Sequence, residues 1–208
     1  LELFGDKAAA RALAERCGVP LVAGINQAVS LEQAQSFCAE HGAVMLKALA
    51  GGGGRGMRAV FEPAALAEAY ARCQSEAQAA FGNGALYIEQ LVSDARHIEV
   101  QVLGDGSGAV SHLWERDCSL QRRNQKLVEI APSPDLDSSV RDAMIAAALQ
   151  LAAEVKYCGI GTFEFLLDAA QPGRFYFMEA NPRVQVEHTV SEQVTGIDLL
   201  HTQLKLVA

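Results

Sequence analysis

Four consecutive glycines, Gly51 to Gly54, followed by Arg55 and Gly56, stand between two apolar segments, residues 43–49 and 57–61. Glycine loses more backbone freedom on folding than any other residue, so the run is a costly way to build an ordinary turn. It permits backbone N–H groups to approach an anion closely, because no Cβ stands in the way. A P-loop is excluded: that pattern ends in Gly-Lys-Ser/Thr and opens a helix. This run ends in Arg55-Gly56-Met57 and continues as a strand. The pattern points to a glycine-rich flap over phosphates, with Lys47 on the preceding strand and Arg55 in the loop; a plain surface hairpin is the alternative.

The rest of the chain alternates helical and strand patterns. Residues 6–17 are Ala-rich with helical spacing and stop at Gly18. Ser30 with Gln33 forms a capping-box pattern that opens a helix running to about His41. Pro63 suits the first turn of another Ala-rich helix ending near Phe81. Strands follow at 86–92 and 97–103, the second with strict alternation: His97, Glu99 and Gln101 on one face, Ile98, Val100 and Val102 on the other. Asp105-Gly106 marks a turn into a strand at 109–115, and residues 116–126 read as a polar loop. A long helix is expected at 137–157, two strands at 162–168 and 175–179 around Gln171-Pro172-Gly173, and a final helical region at 190–207. Such an order indicates an α+β fold. It divides into a small lobe near 19–92 and a larger β-rich lobe.

The balance of 17 Lys+Arg against 25 Asp+Glu gives a net charge of −8, and half the residues are hydrophobic. A disordered chain and a non-specific nucleic-acid binder are therefore poor fits. No apolar run reaches the length of a membrane span, and no signal peptide is recognisable. Cys17, Cys38, Cys73, Cys118 and Cys158 are odd in number and form no CxxC pair, which suggests reduced thiols in bacterial cytoplasm or mitochondrial matrix. The start at Leu1 without Met, and the helical pattern at the end, read as a piece of a longer polypeptide.

Three further groups carry chemistry. A hairpin would set Glu164 opposite the Glu179 region, with Asn181 on the same face as Glu179. Two carboxylates and an amide are hard oxygen donors that suit Mg²⁺ or Mn²⁺ rather than zinc; solvated strand carboxylates are the alternative. The segment from Asn181 to His188 holds Arg183, whose planar fork suits a small oxyanion, and Glu187, a candidate general base. On spacing alone a self-paired capping loop fits that segment equally well. The basic cluster Arg116, Arg122, Arg123 and Lys126 reads by itself as a solvated loop.

Taken in order, several segments resemble the ATP-grasp core of biotin carboxylase. They are Gly5-Asp6-Lys7, Lys47 with the glycine flap, Arg96 to Gln101, Glu115 to Ser119, Gln121 to Arg123 with Gln125-Lys126, Gly161 to Phe165, and Glu179 to His188. The resemblance spans essentially the whole chain. It implies an ATP-grasp fold, with about 19–92 as a small lid lobe and 1–18 with 93–208 as the larger antiparallel lobe. It implies ATP binding by Lys7, Lys47, the flap glycines Gly52, Gly53 and Gly54, Glu89, Gln90, Val92, His97, Gln121 and Asn124. Metal would be held by Glu164, Glu179 and Asn181, and bicarbonate by Arg183, Gln185, Val186 and Glu187. Lys126, Arg183 and Glu187 would be catalytic, with Glu187 deprotonating bicarbonate on the way to carboxyphosphate. The implied cofactors are ATP and Mg²⁺ or Mn²⁺. Biotin is the substrate, presented by a carrier domain, and a carboxyltransferase domain or subunit completes an oligomeric enzyme with no nucleic-acid or membrane partner. N- and C-terminal parts of such an enzyme are expected beyond this segment.

Asn124 stands where the family commonly has His, Gln90 where Lys is frequent, and Ile130 where Glu is common. Two other readings remain open at this level. One is a carbamoyl-phosphate-synthetase-like domain using ammonia; the other is a nucleotide-binding module without catalysis.

Overall fold

The computed structural model describes residues 2–5, 7–51 and 56–207. The elements run α1 (Glu2–Gly5), α2 (Lys7–Arg16), β1 (Gly24–Ile25), α3 (Leu31–His41), β2 (Val44–Ala48), β3 (Met57–Val60), α4 (Leu66–Phe81), β4 (Leu86–Gln90) and β5 (Ala95–Asp105). They continue with β6 (Val110–Arg122), β7 (Gln125–Ile130), α5 (Ser138–Glu154), β8 (Cys158–Asp168), β9 (Phe175–Asn181), α6 (His188–Thr195) and α7 (Leu199–Val207). The chain separates into two compact units. One comprises Leu1–Leu21, Asp94–Gln121 and Lys126–Ala208; the other comprises Val22–Ser93 with Arg122–Gln125.

The smaller unit is a four-stranded antiparallel sheet in the order β1-β4-β2-β3, covered by α3 and α4. Both arms of the capping box on α3 form: Gln33 N donates to Ser30 Oγ, and Ser30 N donates to Gln33 Oε1. Phe37, Leu46, Leu66, Cys73 and Ile88 fill the core between helices and sheet. Pro63 opens a single 3₁₀ turn, Pro63–Ala65, and the α-helix begins only at Leu66. The flap glycines Gly52, Gly53 and Gly54, with Arg55, lie outside the described residues.

The larger unit is built on a five-stranded antiparallel sheet, β7-β6-β5-β8-β9. α5 supplies Val140, Met144 and Leu151 to a core that also holds Ile98, Val100, Phe163, Phe165 and Phe177. Asp137 caps α5 by accepting from the N–H groups of Ser139 and Val140. A bulge in the β8–β9 pair aligns Glu164 with Glu179 but Phe165 with Phe177. The extra residue in β9 lets Phe177 face the core although it lies only two positions before Glu179, which simple alternation forbids.

Two expectations are corrected here. Residues 116–126 form a hairpin, not a loop: β6 continues to Arg122 and β7 begins at Gln125. Arg123 and Asn124 take up the turn at φ 55° and 60°, the positive region that a two-residue turn requires and that Asn tolerates. The polarity of the segment disguised a strand in which Arg116 and Asp117 are buried against partners, while Arg122 and Arg123 are exposed. The final helical region is two helices, because the chain leaves α6 at Gly196 in the left-handed conformation.

Candidate active site

Register places the central groups in one row. Arg116 on β6 lies opposite Glu99 on β5, Glu99 opposite Glu164 on β8, and Glu164 opposite Glu179 on β9. The next row holds Gln101, Thr162 and Asn181. Three carboxylates side by side on one face of a sheet repel one another. Two cations offset this. Arg116 Nε donates to Glu99 Oε1 at 2.6 Å. Lys126 Nζ reaches Glu99 at 2.6 Å, Glu164 at 3.1 Å and Glu187 at 2.7 Å.

Glu164 is the most fully engaged of the acids. His97 Nε2 lies 2.7 Å from Oε2, while Oε1 accepts from Asn181 Nδ2 at 2.8 Å and Gln185 Nε2 at 3.1 Å. Burial opposes its ionisation, but His97, Lys126 and Gln185 outweigh burial and hold the carboxyl far below the usual carboxylate range. Burial likewise disfavours the Lys126 ammonium. Glu99 and Glu164 reverse that effect and push it well above the ordinary lysine value. Glu187 is held below its ordinary value, with Lys126 prevailing over burial. The site is thus a charged assembly at neutral pH.

Glu187 occupies the cap position of α6, yet its side chain makes no cap hydrogen bond and is directed to Lys126. That distinguishes the segment from a self-paired capping loop. Arg183 is exposed and donates to its neighbour's carbonyl, Val184 O, at 3.2 Å. Val186 is 92% exposed, whereas Gln185 is buried between Thr162 Oγ1, which donates to it at 2.7 Å, and Glu164. Gln121 joins the site through His97, its amide nitrogen lying 2.7 Å from Nδ1.

Among the described residues, Glu99, Cys118 and Glu187 are close enough to share an ion, their donor atoms lying within 4.8 Å. Lys126 already bridges the two carboxylates, and burial followed by Glu99 pushes the Cys118 thiol far above its ordinary value. This cluster therefore suits an ammonium better than a metal. Glu164, Glu179 and Asn181 form a different set, with two register-opposed carboxylates and an amide. Its two carboxylates and the Asn181 side-chain oxygen are hard donors that would suit a divalent cation, which would share Glu164 with Lys126 and with the Asn181 and Gln185 amide nitrogens.

The smaller unit holds a second group. Lys47 on β2 bonds to the buried Glu89 on β4, with its ammonium 5.9 Å from the centre of the Tyr87 ring. Gln90 ends β4 with its side chain exposed, and its N–H donates to Ala23 O at 2.8 Å. Val92 is half-buried just beyond, and Asn124 belongs to this unit through the turn described above. Lys7 opens α2, but its side chain lies outside the described residues.

Three participants were not singled out from sequence. Glu99 and Arg116 fall within segments that carry the family resemblance but receive no role from it, Arg116 by itself reads as solvated loop, and Ser191 lies outside those segments. Arg116 is instead wholly buried. The signal available was Glu99 itself, a carboxylate flanked by Ile98 and Val100 in a strand, which once buried demands a cation from another element.

The chain matches the family described as carbamoyl-phosphate synthase L chain, ATP-binding domain, over residues 6–208. It is 51% identical over 210 residues to a pyruvate carboxylase of Schizosaccharomyces pombe, covering 100% of this chain and 18% of that protein. Among solved structures it is similar to a biotin carboxylase–β,γ-ATP complex from Campylobacter jejuni, at TM-score 0.93 and 46% identity, covering 99% of this chain and 46% of that one. It is also similar to the biotin carboxylase domain of Hydrogenobacter thermophilus 2-oxoglutarate carboxylase in complex with MgADP, ADP and bicarbonate. There the TM-score is 0.92 and the identity 45%, covering 99% of this chain and 45% of that one. The chain thus spans less than a fifth of the carboxylase and less than half of either structure.

Proposed function

Because this chain belongs to the carbamoyl-phosphate synthase L chain ATP-binding family, with the ATP-grasp fold, we propose that it is the core of a biotin carboxylase. In this reading it joins ATP cleavage to the carboxylation of biotin by bicarbonate. The observation that carries this is the single ammonium of Lys126 bonded to Glu99, Glu164 and Glu187. It connects the metal-binding row to the base at the start of α6.

Lys47, Lys7 and the glycine flap bind the phosphates of ATP, and Glu89, Gln90, Val92, His97, Gln121 and Asn124 form the rest of the nucleotide site. Glu164, Glu179 and Asn181 hold magnesium, or manganese in its place. Bound there, it would neutralise phosphate charge during transfer. Arg183, Gln185 and Val186 hold bicarbonate beside Glu187, with Lys126 stabilising its negative charge. Glu187 removes the bicarbonate proton, and the freed oxygen attacks the γ-phosphorus as the bond to ADP breaks. The resulting carboxyphosphate releases CO₂ and phosphate. N1′ of biotin gives its proton to the released phosphate and forms the new bond to the carbon of CO₂. Arg183 steadies the charge that develops on the biotin ring.

Support for this reading comes from relatives whose names include biotin carboxylase, ATP, MgADP and bicarbonate. A biotin carrier and a carboxyltransferase are the partners the chemistry requires. The test is phosphate release from MgATP by the full-length protein, with and without bicarbonate and biotin. Release should require both, and Glu187→Gln should lower it by about 100-fold or more. Release raised by ammonia and indifferent to biotin would instead mark a carbamoyl-phosphate-type enzyme. ATP binding without release would mark a non-catalytic module.

A further inference from the structure

Among the described residues Arg116 leads the wholly buried side chains in size, and the mechanism above does not use it. Burying a guanidinium is costly, and one carboxylate suffices to balance its charge. Yet the guanidinium does more than pair with Glu99. Its Nη1 donates to Gln101 Oε1 at 2.9 Å and to Ser191 Oγ at 2.7 Å. Gln101 is in turn fixed to β8, where its amide donates to Gly161 O at 2.9 Å. Ser191 is also wholly buried and lies four residues, one helical turn, beyond Glu187 on α6.

These contacts close a circuit. Arg116 holds Glu99, Glu99 holds Lys126, Lys126 holds Glu187, and Glu187 leads along α6 to Ser191, which returns to Arg116. The Arg116–Ser191 arm acts on the helix itself. A planar guanidinium directs Nε to Glu99 and Nη1 to Gln101 and Ser191 at once, which a lysine ammonium on a flexible stem does not reproduce.

We propose that Arg116 is a positioning residue for the reaction: by bridging Glu99 and Ser191 it sets where the first turn of α6, and with it the Glu187 carboxylate, stands relative to the Lys126 ammonium. The assignment rests on the reading of Glu187 as the base. A base displaced by an ångström loses up to about 100-fold in rate.

The test uses the full-length protein with Ser191→Ala, which removes one acceptor and leaves every charge of the row in place. The turnover of bicarbonate-dependent phosphate release should fall about tenfold, while KM for MgATP stays within about twofold. Arg116→Lys should show the same split, since the charge remains and the bridge does not. The control is Thr195→Val, which removes the bond from Thr195 Oγ1 to Ser191 O within the same helix without touching Arg116. It should keep turnover within about twofold of the parent. Unchanged turnover in Ser191→Ala, or an equal loss in Thr195→Val, would overturn the proposal.

Hydrogen exchange across residues 188–195 separates this inference from the reading beneath it. Faster exchange in Ser191→Ala is expected whether or not the parent enzyme carboxylates biotin. Unchanged protection there would overturn the positioning role. A parent protein without bicarbonate-dependent release would instead overturn the carboxylation reading.

Discussion

The two faces of β5 and β8 are equally buried and chemically opposite. Ile98, Val100, Phe163 and Phe165 meet α5 in an apolar core, while Glu99, Gln101, Thr162 and Glu164 on the other face are just as inaccessible. The apolar face is stabilised without regard to partner identity, since any well-packed hydrophobe of suitable volume serves. The polar face tolerates no such freedom. Each carboxylate there requires a cation or N–H at a defined place; Lys126 serves three acids, and Arg116 serves Glu99. One side of the sheet therefore contributes stability, and the other holds charge in position for chemistry.

The largest effect should come from the apolar side. Phe163→Ala removes a ring that packs edge-on against Phe4 at 5.1 Å. It should cost about 3–5 kcal/mol in urea unfolding. The chain's one tryptophan, Trp114 on β6, lies in the larger unit and provides the readout. If that variant loses less stability than a charge-neutralising change on the opposite face, the division of labour between the faces is wrong.

Glu99→Gln sharpens the same contrast. It keeps shape but leaves the wholly buried Arg116 facing an amide, and it should cost about 2–3 kcal/mol in the same unfolding assay. The Lys47–Glu89 ion pair should be unaffected, because those groups belong to the other unit. A Glu99→Gln protein as stable as the parent would show that the row holds itself together without its central acid.

The smallest effect is an acid-dependent one at the rim of the apolar face, where Asp117 lies opposite Ile98. Burial opposes ionisation of Asp117, but hydrogen bonds from Ser119 and Arg96 prevail and keep its carboxyl below the ordinary value. The group therefore adds stability at neutral pH, and the contribution disappears as pH falls through its folded value, below about pH 4. Asp117→Asn should remove that part of the acid sensitivity, seen as a shallower fall in urea midpoint between about pH 5 and pH 3. An unchanged slope would place the acid sensitivity elsewhere.

Local signals carried much of this fold. The capping box at Ser30, the alternation through Ile98 and Val102, and the Gly18 stop each act within a few residues, so the chain displays them directly. The opposition of Glu164 and Glu179 was also legible, because a hairpin fixes register through its own length. The bulge that turns Phe177 inward was not, since nothing adjacent to it in sequence breaks the alternation. Nor was the hairpin after Arg116, where polarity normally means solvent.

By itself, then, the amino-acid order determined the α+β class, the limits of most elements and the residue types of the site, because propensity, capping and periodicity are short-range. Only the tertiary structure decided which charges meet. Arg116 pairs with Glu99 17 residues earlier and with Ser191 75 residues later. Lys126 collects acids from β5, β8 and α6. Such pairings follow from strand register and the exclusion of water between packed elements, and neither is a property of any short segment.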